Sequence, residues 1–270
     1  MKKKLLAIVT TAFVAALAFA LVGCGGNSGD SSEGGSGSSE LRFVTGGESG
    51  TYYAYGTVLA QYATNNAGVA VNALSSEGSK ANIEALQNNE AELAFCQSDV
   101  STYAYEGTSL FDGAPYKDFS VVAALYGEQV QIVTCNPDIK TVADLKGKTV
   151  SIGAANSGVY FNAIDILGAY DMTEDDINAV YQNFADSADS LKNDKIDAAF
   201  ITAGAPTTAI SDLTTSKQAY LVSMDDEHIA KLKETSPYYA ESIIPGGTYN
   251  GMDEDCTTVA VLAVILANDS

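Results

Sequence analysis

The sequence predicts an α/β protein built in two halves, and three observations carry that expectation. Short apolar stretches alternate with segments of helical periodicity over residues 41–267. The order strand, loop, helix recurs often enough to favour parallel strand pairing. A turn of small residues stands between strand and helix once in each half, at 45–51 and at 154–158.

In the first half, residues 41–45 read as a strand and 46–50 as a glycine-rich turn. A helix opens at Thr51, with Tyr55, Val58, Leu59 and Tyr62 at i, i+3, i+4 and i+7 as its inner face. Residues 69–74 form the next strand. The polar turn 75–79 caps a helix whose inner face carries Ile83 and Leu86, and 92–96 is again a strand.

In the second half, 121–125 and 130–135 read as two apolar strands. Thr141 and Asp144 have capping-box spacing and open a short helix that stops at Gly147. Residues 149–153 are a strand, and after the turn comes a helix with Tyr160, Ala163, Ile164 and Leu167 on one face. Strands at 178–181 and 197–201 flank a helix around Ala188 and Leu191. Pro206 suits the first residue of another helix. A strand at 220–224, a helix around 228–232 and a final strand at 259–267 complete the pattern. That last apolar run is too short to span a bilayer.

The N-terminus reads as a targeting segment. Lys2, Lys3 and Lys4 precede an apolar run over 5–22, and Leu21-Val22-Gly23-Cys24 resembles the lipobox of bacterial lipoproteins. On this reading 1–23 is a signal peptide and Cys24 carries the lipid. Residues 24–40 form a Gly/Ser-rich tether, and the protein is exported and held at the outer face of the cytoplasmic membrane. The alternative is a membrane anchor, because the apolar run is nearly long enough to cross a bilayer.

Charge excludes one class of partner. The 270 residues carry 34 acidic and 14 basic side chains, a net charge of −20, with Arg42 the single arginine. Nucleic acid is repelled by such a chain. An anionic ligand must be held by local groups instead of a general field. The chemistry of catalysis is thinly represented. Gly47-Glu48-Ser49 is no nucleophile elbow, since Thr51 stands where G-x-S-x-G needs its last glycine. No Walker lysine follows the turn. His228 sits in an acidic helical stretch and reads as a solvated surface residue. The acidic runs 225–227 and 253–255 lack EF-hand spacing and read as solvated faces. Cys96, Cys135 and Cys256 match no zinc pattern and read as structural thiols, with one disulfide as the alternative. No enzyme activity, metal or cofactor is expected.

The two small-residue turns are the chemically suggestive features. Such a turn exposes backbone N–H groups, and the helix that follows adds about half a positive charge. Together they can hold a carboxylate without a lysine or arginine. One turn in each half suggests a cleft between two lobes, at the carboxyl ends of the strands. Of Tyr52 and Tyr53, one can line that cleft while the other packs inward, or both are ordinary helix residues.

The run Thr45-Gly46-Gly47-Glu48-Ser49-Gly50-Thr51-Tyr52-Tyr53-Ala54-Tyr55-Gly56 resembles the opening motif of the TAXI family, the extracytoplasmic solute receptors of tripartite ATP-independent periplasmic (TRAP) transporters. The likeness continues through Ala91 to Asp99, Val142 to Lys148, Lys195 to Phe200, Gly204-Ala205-Pro206 and Ile244 to Tyr249. It covers nearly the whole chain after the tether. The resemblance implies a type II periplasmic-binding-protein fold, with lobe I at 41–124 and lobe II with crossing strands at 125–270. It implies a small carboxylate ligand, an amino acid such as glutamate or glutamine or a dicarboxylate, handed to TRAP permease membrane subunits. Carried over residue by residue, the contacts are Thr45, Gly46, Gly47, Ser49, Gly50, Thr51 and Tyr53, then Ser76, Gln97 and Asp99. Asn156, Ser157 and Gly158 face them, with Thr202 and Gly204. The alternative is the receptor of an ATP-driven importer or of a sensory system. Three departures stand out. Val159 replaces the usual threonine of the second turn, Glu48 puts a charge inside the first, and relatives continue past 267 with helices that return to lobe I.

Overall fold

A computed structural model of the protein describes residues 40–270. The signal peptide, Cys24 and all of the tether but Glu40 lie outside the described residues.

Lobe I begins as expected, with strand, turn and helix in alternation. β1 (Leu41–Val44) lies between β2 (Val71–Leu74) and β3 (Leu93–Gln97), all parallel. α1 (Thr51–Tyr62) covers one face of these strands, and α2 (Ser79–Gln87) and α3 (Ser98–Glu106) cover the other. Ile83, Leu86, Val100 and Ala104 are fully buried there. α3 has no apolar stripe in the sequence, because its buried face includes Asp99 and Ser101.

The inner face of α1 differs from the expectation. Tyr55, Val58 and Tyr62 are 42%, 65% and 66% exposed, while Tyr52, Gly56 and Ala60 are buried. The small residues let the helix lie close on the sheet. A methyl group at Gly56 would stand 2.6 Å from Thr45 Cγ2 and 3.3 Å from the Phe95 ring.

The two strands expected at 121–135 are one. β4 (Phe119–Thr134) runs unbroken for 16 residues and changes partners on the way. Up to Gln129 it pairs with β10 (Cys256–Asn268), and from Gln129 with β7 (Ala198–Ala203). The expected lobe boundary at 124/125 therefore falls inside a continuous crossing strand. β10 is the second crossing strand. Its first residues pair with β9 (Ala240–Ile244), and Ala263–Ala267 pair antiparallel with β3, so this strand itself re-enters lobe I.

In lobe II, β5 (Thr149–Ser151) lies between β6 (Asn178–Val180) and β7, all parallel. The whole forms one sheet of ten strands in the order β2-β1-β3-β10-β4-β7-β5-β6. β8 (Tyr220–Leu221) is joined to β4, and β9 to β10. α4 (Gly158–Ala169), α5 (Phe184–Lys192), α6 (Thr208–Ser216) and α7 (Asp226–Thr235) clothe this half. The capping box at Thr141 and Asp144 is present, although the helix it opens is a single tight turn. Pro206 precedes α6 by two residues and follows a cis peptide bond, so it does not start the helix.

α4 joins the lobes. Ala163, Ile166 and Leu167 pack into the lobe II core, whereas Phe161 enters the lobe I core and stacks on Tyr103 at 5.9 Å. That double duty explains why α4 is buried nearly all round instead of on one stripe. Cys96, Cys135 and Cys256 are free thiols. His228 is not simply solvated: its ring stacks on Tyr170 at 3.7 Å and its Nδ1 meets Asp225 at 2.7 Å.

Candidate functional site

Three helix N-termini converge where the lobes meet. α1 starts behind Gly50, which supplies no side-chain cap, so its first amides stay free of local partners. α2 starts behind Gly78, also without a side-chain cap. α4 starts from lobe II at Ser157, whose Oγ accepts from the Tyr160 amide at 3.3 Å. The last two starts touch. A methyl group at Gly78 would lie 3.4 Å from Ser157 Cα, and the Ala81 amide donates across the gap to Asn156 O at 3.0 Å. Gly78 has φ +116°, a backbone conformation that glycine adopts freely.

Between these starts lies a cavity of about 300 Å³. Gly46, Gly47, Ser49, Gly50 and Thr51 line it from the first turn. Ser76 and Gln97 line it from the rest of lobe I, Ser157 and Gly158 from α4, and Thr202 from β7. The other expected contacts lie elsewhere. Thr45 is buried beneath the first turn, where its Oγ1 donates to Leu74 O at 2.8 Å. Tyr53 does not reach the cavity; Tyr52 does, since it points down onto the sheet. Asn156 sits on the rim, donating to Glu77 Oε2 at 3.0 Å. Gly204 lies behind Thr51 and Tyr126. Glu48 is exposed outside the cavity.

Asp99 stands one layer behind the wall, in a polar network that ties the lobes together. Gln97 Nε2 donates to Asn162 Oδ1 at 3.0 Å. Asn162 Nδ2 in turn donates to Asp99 Oδ2 at 2.9 Å and to Tyr239 Oη at 2.8 Å. Tyr239 and Tyr103 both donate to Asp165 Oδ2, at 3.0 and 2.9 Å. Burial pushes the Asp99 carboxyl up to about 7, helped by the nearby Asp165.

Several lining residues carry no glycine-turn signature. Glu77 and Ser79 flank the start of α2. Glu128 rises from β4 on the floor. Gln182, Asn183 and Phe184 form the turn between β6 and α5, a fourth strand–turn–helix junction on the cavity and one that contains no glycine. Phe184 walls the first turn, its ring 3.4 Å from where a Gly50 methyl would be. The one signal for Glu128 was a lone acid inside a long apolar stretch. No lysine or arginine lines the cavity among the described residues. Arg42 is engaged elsewhere, bridging to Glu92 at 2.5 Å on the lobe I surface. Gln97 Oε1, Thr202 Oγ1 and Gln182 Oε1 are buried without a hydrogen-bond partner. A polar ligand would satisfy such atoms.

Residues 43–270 match the NMT1-like family over most of the chain. The chain belongs to the NMT1-like family. Solved structures with the same architecture are distant in sequence. A protein from Bordetella bronchiseptica RB50 is 16% identical, with a TM-score of 0.56 over 85% of this chain and 64% of its own. The alkanesulfonate-binding protein SsuA from Xanthomonas axonopodis pv. citri, bound to MOPS, is 16% identical, with a TM-score of 0.50 over 85% and 65%. The substrate-binding protein of an amino acid ABC transporter is 14% identical, with a TM-score of 0.50 over 82% and 84%. This NMT1-like chain thus spans 64–65% of the length of the first two. The shared architecture is the type II periplasmic-binding-protein fold, two α/β lobes around a cleft.

Proposed function

We propose that this chain is an extracytoplasmic receptor that captures one small solute with a carboxylate or sulfonate group and delivers it to a membrane importer. The observation that carries this reading is the convergence of three helix starts, from both lobes, on one cavity, with the start of α1 left without a side-chain cap. Buried polar atoms without partners on the same walls support it. The cavity's volume suits a ligand of amino-acid size.

The importer is an ATP-driven one on the better-supported reading, because the fold neighbour with a named transport partner serves an ABC transporter. The TAXI-like motif from Thr45 to Gly56 favours a TRAP permease as the second reading. Uptake by cells carrying the native operon separates them: vanadate sensitivity marks the ATPase, and ionophore sensitivity marks the ion gradient. A thermal-shift screen of amino acids, organic acids and sulfonates tests the receptor itself. One member of the panel should raise the melting temperature in a concentration-dependent way. Stabilisation by neutral sugars alone would overturn the proposal. Anchoring through Cys24 is part of the same reading. Labelled palmitate should enter the wild-type chain and not Cys24→Ser, and equal labelling of both would refute it.

A further inference from the structure

Glu128 is an anomaly on the cleft floor. It sits in mid-strand where β4 changes partners, opposite Val261 of β10, and is 2% exposed. Tyr52 Oη donates to its Oε2 at 2.5 Å. The other titratable groups near it are Tyr126 on its own strand, Cys96 at the end of β3 and Asp99 at the start of α3. None of these is cationic. Burial pushes the Glu128 carboxyl well above the usual carboxylate range. A buried carboxylate needs a cation, and among the described residues the cleft walls provide none.

Two further atoms share this need. Gln97 Oε1 and Thr202 Oγ1 are buried on the same cavity without partners. The Gln97 amide has a determined orientation. Its Nε2 is committed to Asn162 Oδ1, and Asn162 Nδ2 is committed to Asp99 and Tyr239, so the carbonyl end is the one left without a partner, packed beside Gly158 of α4. Thr202 follows on the adjacent strand, in register with Val130 two residues beyond Glu128. An ammonium group carries three donors, and the residues lining the cavity include a carboxyl, an unpartnered amide carbonyl and an unpartnered hydroxyl.

We propose that Glu128 is the specificity-determining residue of the cleft. It pairs with an ammonium group on the solute, so the preferred ligand is a zwitterion. The helix starts hold the anionic end and Glu128 the cationic end. This rests on the solute-receptor reading above, and its test keeps the two apart.

The test uses matched pairs that differ only in the amino group: L-glutamate with glutarate, L-alanine with propionate, and taurine with ethanesulfonate. Calorimetry of the purified protein gives each affinity. For at least one pair the amino compound should bind about 30-fold or more tighter than its partner. That preference should collapse to within about threefold in Glu128→Gln, which keeps the shape and an acceptor for Tyr52. The matched-pair comparison in the wild type needs no variant and stands even if Glu128→Gln folds poorly. Equal affinities within every pair, or a preference intact in Glu128→Gln, would overturn the role of Glu128 while leaving the receptor reading standing. Silence across the whole panel would overturn both.

Discussion

Replacing Gly158 with alanine tests whether the closed contact between the lobes is what binds a solute. Gly158 is the first residue of α4, and its Cα faces lobe I. A methyl group there would overlap Gln97 Oε1 and approach Ser79 Oγ to 2.8 Å. A free glutamine end would swing aside at little cost. Gln97 is not free: it is 3% exposed, and its amide is held by Asn162 at 3.0 Å. Relief therefore requires breaking that bond or parting the lobes. Overpacking of this kind costs about 1–3 kcal/mol. The clash exists only where α4 meets lobe I, so that energy weighs against the closed form. Solute affinity should fall by about 5- to 150-fold. Small-angle scattering should show a larger radius of gyration in the unliganded variant, and circular dichroism should show intact secondary structure. Affinity within twofold of wild type, with unchanged scattering, would refute the reasoning.

Two further outcomes follow from buried groups. Asp99 has its carboxyl raised from 3.8 to about 7, so the folded state binds that proton more tightly than the unfolded one. Its contribution is fully present below about pH 4 and lost as pH rises through about 7, a ceiling of about 4 kcal/mol. Asp165 and Glu128 are raised too and slope the same way. Asp99→Asn should therefore raise the melting temperature at pH 8 and flatten, without abolishing, its fall with rising pH; an unchanged profile would contradict this. Gly56→Ala gains up to about 1 kcal/mol of helix propensity and loses about 1–3 kcal/mol against Thr45 and Phe95. Denaturant melts should show net destabilisation, and a more stable variant would mean α1 can lift from the sheet freely.

The residues that defeated the sequence reading share a physical reason. Strand–turn–helix punctuation made lobe I and the start of lobe II legible, because glycine and small-residue turns announce themselves. The face of α1 was misread because its close contact is made by Gly56 and Ala60, which carry little apolar signal, while the bulky Tyr55 and Tyr62 stay outside. α3 went unseen because Asp99 and Ser101 occupy its buried side. β4 was split in two at Gly127, Glu128 and Gln129, where polarity interrupts an apolar run. The β6–α5 turn was passed over because Gln182 and Asn183 replace glycine. At Glu128, Asp99 and Gln182 the polar side chain lines the cavity or stands directly behind its wall. In a central strand the Glu128 carboxyl gains the Tyr52 hydrogen bond and costs desolvation. A cationic group on a bound solute would offset that cost. A break in periodicity within a buried element is thus itself a pointer to the site, since local rules yield where binding needs a group the core does not.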